Sequence, residues 1–170
     1  MSAQLSKRLE QVSELARKDQ YEDARRLCEE LIVEFADDPE PHAKLAYVHA
    51  REGKYAEAVT DITRAIELNS RESDYFYSRG RYRLAIGEAD DAVTDFDQVI
   101  RLCAEYQNSY YLEPSRYFKA EALARAGRVE DALLALEPVS DDFETWDNGL
   151  TSKRDLKRRC LAAKGQGKRP

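Results

Sequence analysis

The chain has 170 residues, 35% of them charged and 42% hydrophobic, with a formal net charge of −6. That length allows one domain with a buried core, and no apolar run approaches the roughly 18 residues that a membrane span needs. Three widely spaced cysteines, Cys28, Cys103 and Cys160, exclude a disulfide framework and suit a reducing cytoplasm.

The first stretch, MSAQLSKRLEQVSEL, has no long apolar run, so a signal peptide is not expected. Apolar residues then recur at spacings of three and four. This predicts helices over 4–18, 21–36, 40–52, 55–68, 73–86, 89–108, 114–126 and 129–137. Gly53, Gly87 and Gly127 fall between paired helices, where a C-cap favours the left-handed conformation; Asp19 holds that place in the first pair. Pro39 and Pro41 mark a boundary, Pro114 opens the seventh helix and Pro138 stops the eighth. Residues 141–149 read as a loop. Ser152-Lys-Arg-Asp155 reads as a capping box for a last helix over about 150–163, with Leu156, Cys160 and Leu161 on one face. Residues 165–170 are expected to form a flexible tail.

The sequence matches itself. At a shift of 34, Tyr21 falls on Tyr55, Ala24 on Ala58 and then Ala92, and Gly53 on Gly87. The next copy needs a shift of 40, which puts Gly87 on Gly127, Ala92 on Ala132 and Phe96 on Leu136. About six extra residues therefore enter near Cys103–Leu112. Tyr106, Tyr110 and Tyr111 cluster there as a candidate aromatic patch.

Charge is uneven along the chain. From Lys153 to Pro170 there are eight Lys/Arg and one acid; the remainder has 19 basic and 32 acidic residues. A basic final helix on an acidic body bears on partner choice rather than on fold.

No catalytic signature is present. Phosphate-binding glycine loops, nucleophile elbows and paired metal-binding histidine motifs are all missing. His42 and His49 are too few for a zinc site, which takes about four ligands. Cys28 sits at an inward helix position and reads as a small hydrophobe. An enzyme is not expected, and neither is a metal or cofactor.

The Gly-x-Tyr/Val/Ala-x-x-Ala core at this period resembles the tetratricopeptide repeat family. Two features depart from its pattern: the large aromatic early in the first helix is present only as Phe76, and Ser70 stands where a closing proline is usual. The resemblance implies an all-α fold, a right-handed α-solenoid of four helix-turn-helix units over about 5–38, 39–72, 73–112 and 113–138. A C-terminal capping helix would complete a single domain over 1–164. It also implies that the first helix of each pair lines a concave groove, here carrying Arg17, Lys44, Tyr47, Arg51, Tyr77, Arg81, Tyr117, Glu121 and Arg125.

Arginine and tyrosine are common anchors of binding surfaces, so the expected function is a cytoplasmic protein-interaction module, an adaptor or scaffold. The partner would be a protein or peptide with acidic groups. The Lys, Asn, Asn, Lys and Arg clamp that family members use for chaperone tails is not kept: Leu9, Ser13, Lys44, Asp74 and Ser78 occupy one frame. The stretch around Tyr110–Gly127 and Asp141–Trp146 is similar to small stand-alone bacterial proteins of this family, some encoded beside toxins. An immunity protein that binds one toxin is therefore a second reading, and a self-associating scaffold a third. Nucleic acid and membrane are not expected partners.

Overall fold

In the computed structural model, residues 3–146 and 150–166 are described. They form α1 (Ala3–Arg17), α2 (Tyr21–Glu34), α3 (Glu40–Arg51), α4 (Tyr55–Leu68), α5 (Ser73–Ile86), α6 (Ala89–Tyr106), α7 (Leu112–Arg125) and α8 (Val129–Leu136). A short hairpin, β1 (Glu144–Trp146) and β2 (Leu150–Ser152), precedes α9 (Lys153–Gln166). Where the sequence reads as one domain, contacts divide the chain into two compact units, Met1–Ile86 and Gly87–Pro170.

The turns inside the pairs explain why the helices alternate. Gly53, Gly87 and Gly127 have φ of 81, 87 and 78°, and Asp19 adopts φ 58° in the glycine's place. The left-handed residue bends the chain so that the next amide returns to the helix just ended. Gln20 N–H bonds Leu15 O at 3.0 Å, Lys54 N–H bonds His49 O at 2.8 Å, and Arg128 N–H bonds Leu123 O at 2.9 Å. The following helix then starts without a side-chain cap. It carries acids in its first turn instead, Glu22 and Asp23, Glu57, or Glu130 and Asp131, which favour the positive end of the helix dipole.

The repeat register predicts burial position by position. Ala24, Ala58, Ala92 and Ala132 are all fully buried, since a small side chain lets paired helices approach closely. One turn on, Cys28, Ile62, Phe96 and Leu136 are buried as well. In the first unit, Leu5, Leu9, Val12, Ala16, Leu31, Leu45 and Val48 join Ala24 and Cys28 in one core. Tyr75 of α5 is buried and donates its hydroxyl to Glu40 Oε1 at the start of α3, at 2.7 Å. In the second unit, the Phe96 and Phe118 rings stack at 6.1 Å.

Three differences from the sequence reading stand out. The extra residues divide between a longer α6, 18 residues against 14 for α4, and a connection closed by Gln107 at φ 53°. The segment read as a loop contains an antiparallel hairpin pairing Glu144 with Ser152, Thr145 with Thr151 and Trp146 with Leu150; its tip, 147–149, lies outside the described residues. The last helix begins at Lys153 rather than near 150, because Leu150–Ser152 is taken up by that pairing, and it runs on through Gly165 to Gln166. Residues 167–170 of the expected tail also lie outside the described residues.

The capping signal at Ser152 is half realised. Ser152 Oγ accepts from Asp155 N–H at 3.2 Å and donates to Asp155 Oδ2 at 2.8 Å. Lys153 is buried and reaches back to Val139 O at 2.5 Å and Asp141 Oδ1 at 2.8 Å, fixing the first turn of α9 to the end of α8. Among the described residues no helix is long and apolar enough to cross a membrane.

Candidate functional site

The first unit gathers most of the residues expected to line a groove. Ser13 of α1 is buried, and its hydroxyl bonds Leu9 O at 3.1 Å. It also accepts a hydrogen bond from Lys44 Nζ of α3 at 3.0 Å. The same ammonium lies 5.6 Å from the Tyr47 ring centroid, within cation–π range. Tyr47 lies within electrostatic reach of the Arg17 guanidinium, and Arg81 lies 6.0 Å from the Tyr77 ring. Packing of α1 on α3 and the Tyr75–Glu40 bond hold these side chains on rigid elements.

The cations here have different partners. Arg17 bonds Glu10 at 2.9 Å, and Arg51 lies 3.9 Å from Asp19. Lys44 instead bonds a neutral hydroxyl. Solvent-exposed ion pairs such as Arg17–Glu10 contribute little and exchange easily. The Arg17 side chain is 56% exposed, so a ligand carboxylate can replace its local partner at low cost.

Tyr82 was not singled out by the sequence. The 34-residue shift equates it with buried Val48, which marks it as core. The tyrosine is longer, so its ring packs at 6.3 Å from Tyr55 and its hydroxyl hydrogen-bonds Ser78. Burial, with a smaller contribution from Asp74, pushes that hydroxyl up to about 12, so it is a neutral donor at physiological pH.

The second unit corrects part of the expected groove. Tyr117 is fully buried, not groove-lining: its ring meets Phe143 at 5.1 Å and its hydroxyl meets Thr151 Oγ1 at 2.7 Å. The hairpin covers it, and the hairpin was invisible to the repeat register. Glu121 is also buried, and bonds Arg125 across one helical turn at 2.6 Å. Arg125 stays exposed and flanks a cleft of about 200 Å³ between α7 and α9, with Leu156, Arg159 and Cys160. The three junction tyrosines differ: Tyr106 and Tyr110 are exposed, by 48 and 76%, while Tyr111 is half-buried and packs edge-on to Tyr110 at 4.7 Å.

Neither histidine joins a metal-binding group, and no such group occurs among the described residues. His49 Nδ1 pairs with Asp61 Oδ2 at 2.6 Å between α3 and α4. Burial pushes Cys28 up to about 12 and raises Cys103 and Cys160 as well, which keeps all three as inert thiols.

Comparison with known proteins agrees with this architecture. The tetratricopeptide repeat profile matches residues 9–67 and 43–110. DnaJ homolog subfamily C member 3 of Gallus gallus is 25% identical over 144 residues, 81% of this chain, which spans only 29% of that relative's length. A Podospora anserina protein with nearly identical TPR-like repeats shares the fold over 96% of this chain and 88% of its own, at TM-score 0.74 and 19% identity. The Yersinia enterocolitica type III secretion chaperone SycD, in complex with a peptide of the translocator YopD, shares it over 75% of this chain and 96% of its own, at TM-score 0.64 and 18% identity. With paired helices, left-handed turns and buried alanines recurring in register over the matched span, the chain belongs to the tetratricopeptide repeat family and has its all-α solenoid fold.

Proposed function

We propose that this protein is a protein-interaction module, and that the α1, α3 and α5 surface of the first unit receives a partner segment bearing carboxylates. The carrying observation is Lys44. Its ammonium is held by Ser13 and Tyr47, so it is positioned without being neutralised by a carboxylate. Arg17, Arg51 and Arg81 add planar forks suited to acidic groups, while Tyr47, Tyr77 and Tyr82 offer contact area with little entropy to lose. Preformed helices keep the ordering cost of binding low. The peptide in the SycD complex is a protein-segment ligand on the same fold, which supports the class of partner. The buried thiols support binding rather than nucleophilic catalysis.

The test starts by isolating partners from the native cell with the wild-type chain as bait. The affinity of the recovered partner is then measured for wild type, Lys44→Glu and Arg51→Glu. The expected loss is at least about tenfold for Lys44→Glu, or roughly 1.4 kcal/mol. Unchanged affinity in both variants sinks the proposal. Tyr106→Ser combined with Tyr110→Ser separates this site from the aromatic surface at the end of α6: a loss confined to that double variant moves the partner there.

A further inference from the structure

The first and last helical layers have complementary surfaces. Between α1 and α2 lies a furrow of about 290 Å³, lined by Gln11, Leu15, Asp23, Arg26, Leu27 and Glu30. Its floor is apolar, from half-buried Leu15 and Leu27. Its lining carries two acids, Asp23 and Glu30, against one arginine, Arg26, on a helix that has five acids and two arginines in all. Both arginines are satisfied locally, Arg26 by Asp23 at 2.7 Å and Arg25 by Glu22 and Glu52. Glu30 and Glu34 share a single cation, Arg8, and their side chains remain 56 and 44% exposed.

Helix α9 presents the opposite pattern. It has six Lys or Arg and one acid. Its packed side is a narrow stripe, Lys153, Leu156 and Cys160. The other side exposes Arg154, Arg158 and Leu161, which share a face at spacings of four and three, with Lys157 beside them. Arg158 pairs with Asp155 at 2.8 Å, while Arg154 and Lys157 have no ion-pair partner among the described residues. Leu161, one turn beyond Arg158 at the end of this basic face, is 52% exposed.

We propose that the α9 face of one copy docks into the α1–α2 furrow of a second copy. Leu161 fills the apolar floor, and Arg154, Lys157 and Arg158 meet the lining acids Asp23 and Glu30 and Glu34, one turn beyond Glu30 on α2. Such a contact joins two different surfaces. The resulting dimer keeps one unused surface of each kind, the furrow of one copy and the α9 face of the other, and assembly proceeds past the dimer unless a ring closes. This interface is separate from the Lys44 site, so either can fail without the other.

Reversal of charge at each surface provides the test. Arg154→Glu with Arg158→Glu makes a copy acidic at both surfaces; Glu30→Lys with Glu34→Lys makes one basic at both. Sedimentation velocity at about 100 µM and low salt is expected to show wild-type self-association, weakened on the order of tenfold or more in 0.5 M salt. Each double variant alone should be monomeric, and an equimolar mixture should associate again. That recovery also shows that both variants are folded. A wild type that stays monomeric at this concentration overturns the proposal, including one that instead retains a homopolymeric RNA. So do variants that associate as wild type does, or a mixture that stays monomeric.

Discussion

The Tyr117 hydroxyl of α7 meets Thr151 Oγ1 of β2 at 2.7 Å. This one bond joins a residue of the repeat to a hairpin that no repeat supplies. The ring beneath it is fully buried against Phe118 and Phe143. Tyr117→Phe keeps the packing and removes the bond, so urea unfolding should show a loss of about 1 kcal/mol. Tyr117→Ala also opens a cavity and should cost about 3–5 kcal/mol. Near-neutral behaviour of the alanine variant would mean that the ring is not packed as described.

The left-handed turns make a second prediction. A Cβ at Gly53 or Gly127 would meet nothing within 4 Å, so Gly→Ala there has only a backbone cost, about 1–2 kcal/mol. Asp19 already bears that strain at φ 58°, offset by accepting a 2.5 Å bond from the Tyr21 hydroxyl and by the nearby Arg51. Asp19→Gly relieves the strain and loses those contacts. Its thermal midpoint should therefore stay close to wild type while those of Gly53→Ala and Gly127→Ala drop.

Much of this was legible in the sequence, for a physical reason. A solenoid repeats one local solution, so the positions of Ala24, Ala58, Ala92 and Ala132 carry burial without any need to know the distant contacts. Every helix but the last was readable to within two residues. What escaped was set outside the repeat. Tyr117 reads as a groove residue because the family resemblance places the register Leu9, Ala43, Tyr77 and Tyr117 there, yet the hairpin lies over it. The hairpin itself has three-residue strands, too short to show alternation. Tyr82 was hidden by the reverse effect, a large residue at a position where the register holds a small one.

His42 sets an acid-side dependence. Desolvation holds it below the usual 6.5, with Arg64 lowering it further and Asp61 and Glu67 opposing. The folded chain therefore binds its proton less readily than the unfolded chain. Stability is fullest above about pH 6.5 and falls as pH drops through that value. Urea midpoints at about pH 7.5 and 5.5 should differ less for His42→Gln than for wild type. Asp61, raised by burial, acts in the opposite sense, favouring the folded state as pH falls, so it does not mimic this effect. Equal slopes in the two proteins would exclude His42 as the source.

The cysteines permit a direct chemical check. All three are buried, at 0, 4 and 2% exposure, and burial disfavours each thiolate. A disulfide exchange reagent such as dithionitrobenzoate should label less than one thiol per native chain within minutes, and all three in urea. Rapid native labelling would contradict the packing of α2, α6 or α9.

The break in period at the end of α6 has an engineering consequence. Residues 104–110 are all exposed, and Gln107 has already turned the chain out of the helix by adopting its left-handed conformation. Foreign sequence spliced between Asn108 and Ser109 meets no core side chain, and loop closure grows only slowly with added length. The irregular interval is thus a natural port, where an epitope, a fluorophore-bearing peptide or a small domain can be mounted without disturbing the helical frame on either side.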